Sequence, residues 1–234
     1  MGELSMIIKR LWGALKVGLS LLHQVFHIMY GFYKISKLSQ PTISIFGGSR
    51  MKLETRYTNQ AYDLAASLAQ AGVSVLTGGG PGIMEAANCG AIEARGKYKG
   101  SHAVTTMGIG ITHLKYEKGL NVCAAEQVMV DYFFARKWLL THYSLAFVFF
   151  PGGIGTMDEL SDLLNLMQTG KLAQAPVILI GTEFWKFYFD WLALARHEGL
   201  LFPKEQPEVM LTDDIDQVFG RIIAHCKAAG FDPS

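Results

Sequence analysis

Over most of its length the chain alternates short apolar runs with amphipathic stretches of helical period. Thr42–Phe46, Val73–Thr77, Glu126–Val130, Leu145–Phe150 and Pro176–Ile180 read as strands, and Ala103–Thr106 begins another. Runs this short and this uniformly apolar suit strands covered on both faces, as in a parallel sheet. The intervening periodicity predicts helices over Thr58–Ala71, Ile83–Arg95, Tyr132–His142, Gly155 to about Met167, Glu183–His197 and Asp213–Ala229. Gly72 is a natural stop for the first of them. Gly108–Ala125 fits neither pattern and is expected to be a long loop over a site. Strand–helix units of this length imply right-handed crossovers. The expected class is therefore α/β, a doubly wound parallel sheet with helices on both faces.

Met1–Gln40 is patterned differently. Ile8, Leu15, Leu22 and Met29 recur at heptad spacing, with Leu11/Trp12, Leu19, Val25/Phe26 and Phe32/Tyr33 in adjoining positions. Lys9, Lys16, His23, Gln24, His27 and Lys34 fall on the other side. This is a broad apolar stripe on a long helix or a helix pair, because Gly13, Gly18 and Gly31 weaken it. The stripe is expected to pack on the domain or on a second subunit, with a membrane-surface helix as the alternative. Polar residues interrupt every span of ~20 residues, and no small-residue cleavage site follows. Neither a transmembrane helix nor a signal peptide is expected. The organisation expected is a helical extension over 1–40 and a nucleotide-binding domain over 41–234.

Composition narrows the classes. Half of the 234 residues are apolar, ample for a core. With 21 basic and 20 acidic side chains, a dedicated nucleic-acid binder is disfavoured. Cys89, Cys123 and Cys226 show neither CxxC nor zinc spacing and read as reduced thiols of a cytoplasmic protein. There is no HExxH and no clustered His/Asp set, so no metal is expected, and the scattered histidines read as surface or partly buried residues.

The candidate chemistry lies at three glycine-rich turns, each after an expected strand: 47–48, 78–82 and 152–155. In an open parallel sheet such turns share the carboxyl edge, where ligands bind. Leu145–Phe150 stops at Pro151-Gly152-Gly153, and a helix is expected to begin with Thr156, Asp158 and Glu159 in its first turn. Its unpaired N–H groups and dipole suit a phosphate. A carboxylate beside an anion seat has little to contribute to holding the anion, which makes Glu159 a candidate for chemistry. Neither GxGxxG nor GxxxxGK[ST] is present, so a dinucleotide cofactor and triphosphate hydrolysis are disfavoured. Arg136 and Lys137 are adjacent cations on the apolar helix that feeds the key strand, and Arg136 could hold a phosphate or polarise a leaving base. Tyr132, Phe133 and Phe134 are expected in the core, with one ring available to stack on a base. Met84, Met107 and Met167 read as core filler or as the lining of an adaptable pocket.

PGGIGTMDE at 151–159, GGGPGIMEAAN at 78–88 and FFARK at 133–137 together resemble the LOG ("lonely guy") family, also labelled lysine-decarboxylase-like. The resemblance covers about residues 41–223. It implies a Rossmann-like fold, a homodimer, no cofactor, and hydrolysis of the N-glycosidic bond of AMP or a cytokinin riboside 5′-monophosphate to free base and ribose 5-phosphate. It maps the family's catalytic pair onto Arg136 and Glu159. Its nucleotide contacts map onto Gly152, Gly153, Gly155 and Thr156, and onto Gly47, Gly48 and Gly79, with Ser49 and Lys137 completing the candidate set. Many relatives carry two glutamates at the end of the motif, where this chain has Asp158 first. Nothing marks a pyridoxal-phosphate lysine with its partners. The rival reading is a non-enzymatic module that senses a nucleotide through the same turns.

Overall fold

The structure is a computed structural model and describes residues 2–38, 40–97, 106–112, 121–201 and 208–233. A long helix α1 (Gly2–Ile35) precedes β1 (Thr42–Phe46), α2 (Arg56–Gln70), β2 (Ser74–Thr77), α3 (Ile83–Lys97), β3 (Thr106–Ile111) and β4 (Glu126–Val130). Then follow α4 (Phe133–His142), β5 (Phe147–Phe149), α5 (Ile154–Gln168), β6 (Val177–Ile180), α6 (Thr182–His197), β7 (Val209–Thr212) and α7 (Ile215–Ala228). The strands form one seven-stranded sheet in the order β4-β3-β2-β1-β5-β6-β7. Every pairing is parallel. The fold is thus the doubly wound α/β sheet that the apolar runs imply.

Alternation along the strands sorts the core into two layers. Ile43, Ile45, Val148 and Phe150 pack with Leu64 and Leu68 of α2, Ala87 of α3 and Ile222 of α7. Phe46, Phe147 and Phe149 pack on the opposite face with Leu139 of α4, Leu160 of α5 and Trp185 of α6. The order in which strands are added across the sheet reverses between β1 and β5, where Phe46 pairs with Phe149 and their rings stack at 4.6 Å. The turns that leave these two strands are therefore neighbours at a topological switch point, the usual ligand position in such sheets.

Several expectations need correction. Gly108–Ile111 belongs to β3 rather than to a loop, and residues 113–120 of that expected loop lie outside the described residues. Thr106 is the first residue of that strand, and 103–105 lie outside the described set. Strand β7 was not anticipated. The N-terminal segment is one helix of 34 residues, not a pair.

Its orientation is the larger surprise. The side with Gln24, His27 and Lys34 faces the domain, while Ile8, Leu15, Leu22 and Met29 are all more than half exposed. Gln24 donates to Asp131 (2.7 Å), Lys34 pairs with Glu126 (2.6 Å), and the Ser20 and Tyr132 hydroxyls are 3.0 Å apart. Gly31 makes the docking possible, since a Cβ there would lie 2.6 Å from Leu139 Cδ1. Ile35 and Leu38 join the same apolar cluster as Phe46, so residue 40 is not a packing boundary. Among the described residues, no helix is long and apolar enough to cross a membrane.

Candidate active site

Gly48 joins the three glycine turns. Its N–H donates to the Pro151 carbonyl (3.0 Å), and its carbonyl accepts from Ile83 N–H (3.3 Å) at the start of α3. The Gly48 amide is thus committed within the protein and is not the bare donor that the motif suggested. Above this corner opens a cleft of about 510 Å³. Residues 47–50 form one wall and Gly153–Thr156 another, with Met84, Phe133, Arg136 and Glu159 between them.

Helix α5 begins at Ile154, one residue earlier than its pattern suggests. Its first backbone bond runs from Met157 N–H to Gly153 carbonyl (3.1 Å). The amides of Ile154, Gly155 and Thr156 precede that bond and so have no partner within the helix. Gly153 contributes no capping side chain, and all four residues line the cleft. The earlier start moves Asp158 and Glu159 into the second turn, a correction to their expected place. Glu159 lies five residues beyond Ile154, about 7.5 Å along the axis at 1.5 Å per residue. That separates a carboxylate from an anion seat by roughly the span of a pentose, rather than setting one against the other.

Arg136 reaches the cleft from α4. Its Nη2 is 3.3 Å from Glu159 Oε1, with side chains 8% and 12% exposed. The guanidinium lies flat against the second glycine turn: a Cβ on Gly78 would fall 2.0 Å from Nη2. Met84 Sδ is 3.9 Å from the same nitrogen, and Arg136 Nε is buried without a partner. A charge this enclosed needs an opposite charge beside it, and Glu159 supplies one.

The other expected site residues divide. Gly47, Gly48, Ser49, Gly153, Gly155 and Thr156 line the cleft. Gly152 sits at its lip, where a Cβ would come within 2.1 Å of Thr156 Oγ1. Gly79 is walled in instead: its carbonyl accepts from Asn121 N–H (2.8 Å), and its N–H donates to Thr77 Oγ1 (3.0 Å). Lys137, one position on from Arg136, does not line the cleft and pairs along α5 with Asp158 (3.3 Å), which borders the cleft, and with Asp162 (3.4 Å). Successive helical residues are about 100° apart, so the two cations cannot share one target.

Tyr132, Phe133 and Phe134 are exposed, not core, and Phe133 borders the cleft. Met84 lines the cleft, whereas Met107 and Met167 are core. Arg50 and Ile154 also line it without having been singled out. A cation directly after the first glycine turn was the available signal for Arg50.

A buried polar brace backs the 78–82 turn. Thr77 donates to Asn88 Oδ1 (2.7 Å), and Asn121 donates to Asn88 Oδ1 (3.1 Å) and to the Gly80 carbonyl (3.0 Å). Beside it, Cys89 and Cys123 form a disulfide. This corrects the expectation of three reduced thiols: the partners are 34 residues apart, and only the packing of α3 on the turn before β4 brings them together. Such a bond persists in oxidising surroundings and is reduced in a glutathione-rich one. Cys226 is the free, buried thiol, and burial raises its pKa.

Comparison with known proteins bears on this geometry. A cytokinin riboside 5′-monophosphate phosphoribohydrolase of Rhodococcoides fascians is 24% identical over 194 residues, covering 80% of this chain and 93% of that protein. One from Arabidopsis thaliana is 26% identical over 166 residues, covering 70% and 69%. Among solved structures, the molybdenum cofactor carrier protein of Chlamydomonas reinhardtii superposes with a TM-score of 0.55 at 22% identity, covering 80% of this chain and 99% of that one. That likeness concerns the fold alone. A family model described as "possible lysine decarboxylase" matches residues 84–222, a stretch that contains Arg136, the Pro151–Thr156 turn and Glu159. With more than half of its length inside that match, the chain belongs to the lysine-decarboxylase-like family, the LOG family.

Proposed function

We propose that the cleft hydrolyses the N-glycosidic bond of a nucleoside 5′-monophosphate, AMP or a cytokinin riboside 5′-monophosphate, to free base and ribose 5-phosphate. The observation that carries this reading is the enclosed Arg136–Glu159 pair, 3.3 Å apart, set one turn and a half above the start of α5. The names of the relatives from Rhodococcoides fascians and Arabidopsis thaliana support the same reaction class.

In this reading the 5′-phosphate takes the amides of Ile154, Gly155 and Thr156 at the positive end of the helix. The ribose then lies over the second turn, beside Glu159. Breaking the C1′–N bond sends its electron pair to the base and leaves positive charge on the sugar. The Glu159 carboxylate stabilises that charge and accepts a proton from the attacking water, whose oxygen bonds to C1′. The departing base takes up a proton, so the atoms balance. Arg136 holds Glu159 aimed through their 3.3 Å contact, and it counters negative charge as it grows on the base. Phe133, exposed at the rim, offers a ring face to the base. Lysine decarboxylation is not adopted, because among the described residues no lysine lines the cleft and Lys137 is engaged by Asp158 and Asp162. A homodimer completes the proposal.

Each fixed charge of this type is worth roughly 3–4 kcal/mol at a transition state. Glu159→Gln and Arg136→Ala are therefore expected to lower turnover by ~100-fold or more. Chromatographic detection of base released from a panel of nucleoside monophosphates measures this. Parental turnover in Glu159→Gln would remove the assignment. Tight AMP binding with no base released by the parent would favour the sensing module.

A further inference from the structure

A second cluster of ionisable side chains lies away from the cleft, where α1 meets the end of β4. His23 and His27, one helical turn apart, both face Asp131, more than a hundred residues away in sequence. His23 Nε2 is 3.3 Å and His27 Nδ1 3.9 Å from the same carboxylate oxygen, Asp131 Oδ2. The candidate ligand atoms of the three residues all lie within 4.8 Å of one another. The reading of the histidines as isolated residues is thereby corrected.

The carboxylate is oriented from behind. Thr112 Oγ1 donates to Oδ1 (2.5 Å), and Gln24 Nε2 donates to Oδ2 (2.7 Å).

Two polar atoms here are left over. His27 Nδ1 is buried and has no hydrogen-bond partner, since Asp131 is too distant at 3.9 Å. Gln24 is only 2% exposed, and its Oε1 likewise has no partner. A buried acceptor left unpaired costs on average more than an ordinary hydrogen bond contributes. An imidazole nitrogen facing a carboxylate across a gap too wide for a hydrogen bond is what a bridging cation would resolve. Around an ion with ligands at 2.0–2.1 Å, tetrahedral neighbours stand about 3.4 Å apart. The two measured separations bracket that value.

We propose that His23 Nε2, His27 Nδ1 and Asp131 Oδ2 bind a first-row divalent cation of the zinc class, clamping α1 to the end of β4. Two imidazoles and one carboxylate suit zinc, cobalt or nickel better than magnesium or calcium. Gln24 and Thr112 orient the carboxylate, as outer partners do at metal sites. The remaining positions are open to water. Asp131 lies five residues before Arg136, so the clamp also steadies the turn that leads into α4. The inference does not depend on the reaction proposed for the cleft.

The test is calorimetric titration of the chelator-treated full chain with Zn²⁺, repeated with Co²⁺ by visible absorption. The expected result is one ion per chain and a raised thermal midpoint. Weakening by roughly tenfold or more is expected in His23→Ala and in Asp131→Asn. His197→Ala, remote from the cluster, is expected to bind like the parent. His23 is largely exposed, so its replacement leaves the fold intact and keeps the test readable. Absence of stoichiometric binding by the parent overturns the proposal. So does equal binding by the parent and His23→Ala, which would mean adventitious surface association.

Discussion

The helices that flank the sheet and the helix that precedes it obey opposite rules. In α2 and α5 the apolar side of the period turns to the strands, as burial of apolar area dictates. In α1 the apolar side faces outward, and the polar side docks through Gln24, His27 and Lys34. The difference lies in what each helix meets. The flanking helices cover apolar strands, whereas α1 runs alongside the edge strand β4 and meets polar partners at both of its ends, Asp131 and Tyr132 at one and Glu126 at the other. A hydrophobic stripe shows that something apolar must cover it, and says nothing about whether the covering surface is in the same chain.

Substitutions at glycines and on the stripe can break this comparison. The largest effect is expected at Gly78. The atoms nearest a Cβ there belong to the Arg136 and Met84 side chains, so Gly78→Ala displaces the guanidinium from Glu159. Misplacement of a catalytic group by about 1 Å costs on the order of 100-fold in turnover, measurable by base release. Unchanged turnover would show that the position of Arg136 is immaterial. Next comes Gly31→Val, which drives a side chain into buried Leu139. A loss of about 1–3 kcal/mol by chemical denaturation is expected. The smallest effect belongs to Leu15→Ser, at a residue 57% exposed, with a change within about 0.5 kcal/mol. If Leu15→Ser costs as much as Gly31→Val, the inverted orientation of α1 is wrong.

Much of the sheet was legible because its strands are short apolar runs that stop at proline or glycine. β1 and β4 match their expected limits residue for residue. β3 was misread because glycines alternate through it. Gly108 is there because Gly79 Cα and Ala124 crowd it, a packing demand with no local signature. β7 is as apolar as the inner strand β2 but only four residues long, and three of those are half-buried at the sheet edge. At the candidate site, the approach of Arg136 to Glu159 could be anticipated from the helix and turn motifs. The pairing of Lys137 with Asp158 and Asp162 could not, because adjacent cations on a helix look alike until the neighbouring helix is placed. The Cys89–Cys123 bond and the His23–His27–Asp131 cluster join residues that only tertiary packing makes neighbours.

The double use of Gly48 has a mechanical consequence. One residue's amide and carbonyl fasten the exits of β1 and β5 to the start of α3. No one of these turns can swing away without tearing a bond to the others. The rim therefore behaves as a fixed ring, with Phe133 of α4 as the exposed aromatic side chain on its border.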